Sequence, residues 1–182
     1  MNASNLIDEL IELTLLHKKE VTEMKSNELK SLNYKPDSTQ WSALECIEHL
    51  NRYGKFYIPE IRQSLAASTL KKSDKFKTGL LGNYFAKSML PKEKLNKMKT
   101  FKNMDPAGSN LDISTLDTFI NDQEELIELL EKSRETDLTK IKTSISISNW
   151  IKLRLGDTFR VVIYHNKRHI LQAKRAINPL KE

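Results

Sequence analysis

Apolar side chains recur along this chain at helical spacing in four long blocks. Leu6, Leu10, Leu13, Val21 and Met24 repeat at steps of three and four, with His17 filling the gap, so residues 5–32 read as an amphipathic helix. "NYKPDSTQ" ends it, because proline stops a helix and restricts the residue before it. In "WSALECIEHL", Ser42 and Glu45 have the S-x-x-E spacing of a capping box, which satisfies the free amides of a helix start. The second helix is expected from Ser42 to about Ser68, bent near Gly54 and Pro59. Glycines and prolines interrupt residues 71–110, where "NYFAKSML" predicts one short helix. Leu116, Phe119, Ile120, Gln123, Leu126, Ile127 and Leu130 mark a third helix over 113–135. "TSISISNWIKLRLGD" has strand-like residues, but a lone strand lacks a partner, so an extended or loosely helical connection is expected. Gly156 and Asp157 open a fourth helix, with Asp157 as N-cap, running to about Ile177 before "NP".

Four long striped helices with no competing set of strands imply an all-α four-helix bundle with a long connection after helix two. At 182 residues the chain suits a single domain over 1–182, and no internal repeat argues otherwise. The single cysteine, Cys46, excludes a disulfide scaffold. No apolar run approaches the roughly 20 residues of a membrane span, and acids interrupt the apolar start, so a soluble cytoplasmic protein is expected.

Net charge is +6, and residues 71–110 hold ten lysines against Asp74, Glu93 and Asp105, which accounts for the whole excess. A basic patch attracts nucleic acid or anionic lipid. This one has no arginine, and Phe76, Tyr84, Phe85 and Phe101 do not form a stacking motif, so a solvated connection is expected, with no specific nucleic acid and no membrane as partner.

Candidate chemistry resides in histidines. His165 and His169 are four residues apart and project from one helix face, beside the stripe of Phe159, Ile163, Ile170 and Ile177. His49 shares a face with Cys46, Tyr53 and Phe56, beside Ile47, Leu50 and Ile61. All three are expected to point inward. Three neutral imidazoles on two facing helices suit a divalent transition metal at about 2.0–2.2 Å, with positions left open for water or substrate. The competing reading is three ordinary core histidines. Gln172, one turn from His169, is a candidate to support a ligand, and Arg168 to bind a carboxylate or phosphate. Tyr53 is a candidate proton donor, and Glu45 a partner of His49 beyond its capping role. Cys46 reads as a small buried residue, and His17, on the stripe of helix one, is a candidate fourth ligand.

"WSALECIEHL" followed, over a hundred residues later, by "LGDTFRVVIYHNKRHILQA" resembles the DinB/YfiT-like superfamily of bacterial four-helix metalloproteins. The resemblance implies an up-down-down-up bundle, a zinc or nickel ion held by His49, His165 and His169, with ligands drawn from helices two and four so that His17 is left out, and frequent homodimers. Such families include thiol-dependent S-transferases, isomerases and candidate hydrolases acting on small molecules, so a low-molecular-weight thiol is a possible second cofactor. The leading expectation is a metal-dependent hydrolase or thiol S-transferase. The alternatives are a non-catalytic metal-binding or stress-response bundle and, behind it, a basic nucleic-acid-binding protein.

Overall fold

A computed structural model describes residues 1–35, 37, 39–91 and 100–177. The main elements are helices α1 (Ala3–Met24), α2 (Leu29–Leu32), α3 (Ala43–Ala66), α4 (Leu80–Met89), α5 (Ser114–Lys132) and α6 (Leu155–Ile177), with strands β1 (Lys142–Ile145) and β2 (Ser148–Arg154). The fold is an all-α bundle carrying one small hairpin.

Cross-helix pairs fix the directions of the four long helices. Asp8–Arg134, Lys18–Glu124 and Lys25–Asp117 run in opposite sequence order, so α1 and α5 are antiparallel. Glu9–Tyr164 and Glu20–Lys174 run in the same order, so α1 and α6 are parallel. Asn51–Thr115 and Arg62–Glu125 make α3 parallel to α5. His49 against His169 and Tyr53 against His165 make α3 antiparallel to α6. Taken in chain order, α1, α3, α5 and α6 therefore run up, down, down, up. Two consecutive helices in the same direction require a crossing connection, which is why a long segment separates α3 from α5.

The core consists of two apolar clusters. One gathers Leu6, Leu10, Ile58, Ile61, Leu126, Leu130 and Phe159, together with Phe76, Ile145 and Leu153. The other gathers Val21, Leu44, Ile47, Leu50, Leu116, Phe119, Ile170 and Ala173. On each long helix the residues between the clusters include buried polar ones: Thr14 and His17, Asn51, Gln123, and Asn166 and Arg168. A polar layer thus crosses the middle of the bundle. Asn166 donates to Gln123 Oε1 at 3.0 Å, and Thr14 donates to the Leu10 carbonyl at 2.7 Å, so the layer is partly self-satisfied.

Several expectations need correction. The first helix is two: α1 ends at Met24, where the Asn27 amide donates to the Met24 carbonyl at 2.9 Å and takes up a helix-end acceptor. The capping box at Ser42 is present with both bonds, as expected, and α3 is one helix over Ala43–Ala66 with Gly54 and Pro59 inside it. At Gly54 a Cβ would fall 2.3 Å from Asp122 Oδ2, so the missing side chain admits α5. The short helix in the connection starts earlier than "NYFAKSML", at Leu80. The "TSISISNWIKLRLGD" segment is a hairpin: its two halves pair antiparallel, Lys142 with Arg154 and Ser144 with Lys152. Asp157 does not cap its own helix. The first amides of α6 are taken by the Ile141 and Leu138 carbonyls at 3.0 and 3.1 Å. The Asp157 carboxylate instead accepts the Gly79 amide at 2.7 Å, at the start of α4. The "NP" stop, Pro36 and part of the lysine-rich connection, residues 92–99, lie outside the described residues.

Candidate metal centre

α3 and α6 bring His49, His165 and His169 together at the edge of the polar layer. One ring nitrogen from each lies within 4.8 Å of those of the other two. The ring centroids are 5.1 Å apart for His49–His165 and 4.6 Å for each of the other two pairs. His49 is buried, and His165 and His169 are partly buried.

Hydrogen bonds outside the cluster set the tautomers. His49 Nδ1–H donates to the Met104 carbonyl at 2.7 Å, so its Nε2 carries a lone pair. His169 Nδ1–H donates to Gln172 Oε1 at 2.9 Å, leaving its Nε2 lone pair free in the same way. His49 Nε2 stands 3.3 Å from His165 Nε2. Two nitrogens each about 2.0–2.1 Å from one ion, at angles of 90–110°, are about 3.0–3.4 Å apart. A hydrogen bond from His165 Nε2–H to His49 Nε2 also fits 3.3 Å, but it leaves the His169 Nε2 lone pair unserved, whereas a cation serves all three rings. The donor set therefore suits a borderline divalent ion.

Burial keeps the rings neutral, as metal ligation requires. It pushes His49 down to about 4, against an opposing effect from the Met104 carbonyl and Asp105. His165 is driven well below its ordinary value by burial first and then by His169 and His49. His169 falls to about 3, again through burial and then His49.

Aromatic rings flank the cluster. Tyr53 meets His49 and His165 edge-on at 5.0 and 4.7 Å, and burial pushes its phenol up to about 12, so it remains a hydrogen-bond donor. Trp41 lies 4.7 Å from His49 and 5.8 Å from His169. Arg168 is buried beside the pair on α6. Glu45 is engaged elsewhere: it closes the capping box, pairs with Lys35 at 2.6 Å and accepts the Gly108 amide at 3.3 Å. Cys46 is fully buried in the second apolar cluster, where desolvation holds its thiol far above the usual range. His17 is buried on α1, outside the three-histidine group, and neither ring nitrogen has a hydrogen-bond partner among the described residues.

The sequence reading missed two contributors. Trp41 stands directly before the N-cap of α3, a position that places it at the mouth of the helix, and that was a readable signal. The Met104 carbonyl had none, because a backbone acceptor carries no side-chain signature. It is held in place by Arg52, which donates to the Asp105 carbonyl at 2.6 Å and to Ser109 Oγ at 3.0 Å.

An up-down-down-up bundle with a three-imidazole group across two of its helices defines a class of helical proteins equipped to bind metal. A family model described as the DinB superfamily matches residues 25–173, and the chain belongs to that superfamily. No curated protein and no solved structure matches it.

Proposed function

We propose that the chain is a metal-dependent enzyme whose divalent ion is held by His49, His165 and His169, and that it acts as a hydrolase or thiol S-transferase on a small molecule. The observation that carries this reading is the convergence of two tautomer-fixed lone pairs and a third imidazole, with ring nitrogens within 4.8 Å of one another. Bound there, a zinc or nickel ion supplies Lewis-acid activation of a water or a low-molecular-weight thiol.

The chain's own groups do the rest. The Met104 carbonyl and Gln172 orient the rings of His49 and His169. The Tyr53 phenol, kept protonated by burial, is placed to donate to an oxyanion developing beside His165. Trp41 offers an apolar wall that excludes water from one side. Arg168 supplies a cation for a substrate carboxylate or phosphate.

The test is metal analysis of protein purified without a nickel column, wild type beside His165→Ala, followed by a screen of thiols and electrophiles. The expected result is about one metal per chain in the wild type and almost none in a folded His165→Ala. A variant that retains stoichiometric metal removes His165 from the ligand set. A wild type that binds metal and turns over nothing in the screen supports the non-catalytic alternative.

A further inference from the structure

We propose that the outer surface formed by α4 and the β1–β2 hairpin is a docking face for an anionic lipid bilayer. α4 uses Gly82 and Ala86 against the bundle and turns Leu80, Leu81 and Tyr84 to solvent; Leu80 is 94 % and Tyr84 68 % exposed. The hairpin adds Trp150, 95 % exposed. Its exposure has a structural cause. Ser144 pairs with Lys152 but Ile145 with Ser148, so an irregularity between Ser148 and Lys152 on β2 throws Trp150 outward, as bulges re-aim side chains. The two parts meet at the base of the hairpin, where Arg154 on β2 donates to the Lys77 carbonyl at 2.5 Å, three residues ahead of α4.

The described segments that carry these apolar groups hold basic side chains as their charged residues, while exposed Asp74 stands directly before Lys75 and Glu9 and Glu12 lie beside Leu90 past the end of α4. From Lys75 to Pro91 the chain contains Lys75, Lys77 and Lys87 and no acid, and Lys142 and Lys152 are exposed on the hairpin. Two other acids that approach this region are committed elsewhere. Asp157 is fully buried and binds Thr78, Gly79 and Arg160, and Glu60 accepts the Ser144 amide at 2.6 Å. Exposed leucines and a tyrosine on α4 and an exposed tryptophan on the hairpin, with lysines on both segments, match the headgroup boundary of a membrane: aromatic rings favour that depth, the aliphatic groups go deeper and the lysines meet anionic headgroups. A nucleic acid would leave the leucines in water. The expectation of no membrane partner rested on the lack of a spanning segment and on reading the lysine-rich residues 71–110 as a solvated connection. No described helix is long and apolar enough to cross a membrane, and that has no bearing on a face that lies on its surface.

The experiment is co-sedimentation of the full chain with phosphatidylcholine vesicles containing about 30 % phosphatidylserine, beside vesicles of phosphatidylcholine alone. The expected result is binding to the anionic vesicles only, weakened by added salt, with a blue shift of Trp150 fluorescence. Leu80→Ser/Trp150→Ser should lower partitioning about tenfold or more, and Lys87→Glu/Lys152→Glu by a similar factor, with unchanged circular dichroism because all four side chains are exposed. The proposal is overturned by absent sedimentation, by equal binding to neutral vesicles, or by variants that partition like wild type. It is also overturned if the Leu80→Ser/Trp150→Ser change instead dissociates a dimer of this chain, or abolishes binding to an oligonucleotide while vesicles are ignored.

Discussion

At the scale of single residues, His17 shows how position and partnership differ in legibility. Its phase on the apolar stripe of α1 predicted burial, and it is 1 % exposed. Nothing in the sequence showed that both ring nitrogens lack a partner. Burial first, and then Lys167, push its pKa from 6.5 down to about 4. The unfolded chain therefore binds a proton between those values that the folded chain refuses, so His17 lowers stability as pH falls from about 6.5 to 4, by up to about 3 kcal/mol, and has no such effect above that window. Replacement by leucine, similar in volume and without polar atoms, should raise the melting temperature at neutral pH and flatten the stability profile between pH 6.5 and 4. Denaturant titrations at several pH values check this, and an unchanged slope would mean that another group governs the acid limb. The candidate centre was legible because its residues carry the signal themselves: a histidine pair at i, i+4 and an inward histidine on another helix. Trp41 had a signal in its place directly before the N-cap of α3, whereas the Met104 carbonyl needed the three-dimensional path of the connection.

At the scale of elements, periodicity located every long helix, and the errors fell where segments find partners rather than express propensity. The hairpin was missed because "KTSI" and "SNWIKLR" pair with each other, across a turn at Ser146 and Ile147 that lacks a glycine or asparagine signal. A two-stranded hairpin is marginal alone; here Ile145 and Leu153 sit in the core, and Thr143 bonds Thr158 on α6 at 2.5 Å. Asp157 was read as a cap for its own helix because local reasoning offers no other. Its carboxylate serves α4, receiving the Gly79 amide and the Thr78 hydroxyl while pairing with Arg160 at 3.1 Å. Arg160 also reaches Asn83 at 3.2 Å, so the pair fastens α4 to α6. Both members are buried, and removing one leaves the other's charge without its counter-ion. Asp157→Ala should therefore cost about 3–5 kcal/mol in urea unfolding, and adding Arg160→Met should recover a large part. Additive losses in the double variant would show that the two charges are not coupled.

At the scale of the whole molecule, the arrangement of the core decides what a metal can do for the fold. The apolar cluster around Leu6, Ile61, Leu126 and Phe159 is built without any of the three histidines, and the cluster around Val21, Leu44, Phe119 and Ile170 lies on the other side of the polar layer. Each draws on all four long helices, so the bundle has hydrophobic closure above and below the candidate centre. A zinc finger has no such reserve and unfolds when stripped of metal. The layer between the clusters is the weaker place, since Asn51 Oδ1 and both His17 nitrogens are buried there without partners among the described residues. Dialysis against a strong chelator, followed by circular dichroism and thermal melting, should leave the helical signal and one cooperative transition, at a lower midpoint than the metal-loaded protein. The difference follows mass action, about 4 kcal/mol when free metal exceeds its dissociation constant a thousandfold. Loss of helix on chelation would make the ion structural and remove the main support for an open catalytic position. A midpoint that ignores metal would show that the three imidazoles bind none. A retained fold with a metal-dependent midpoint is what a centre set between two self-sufficient cores requires.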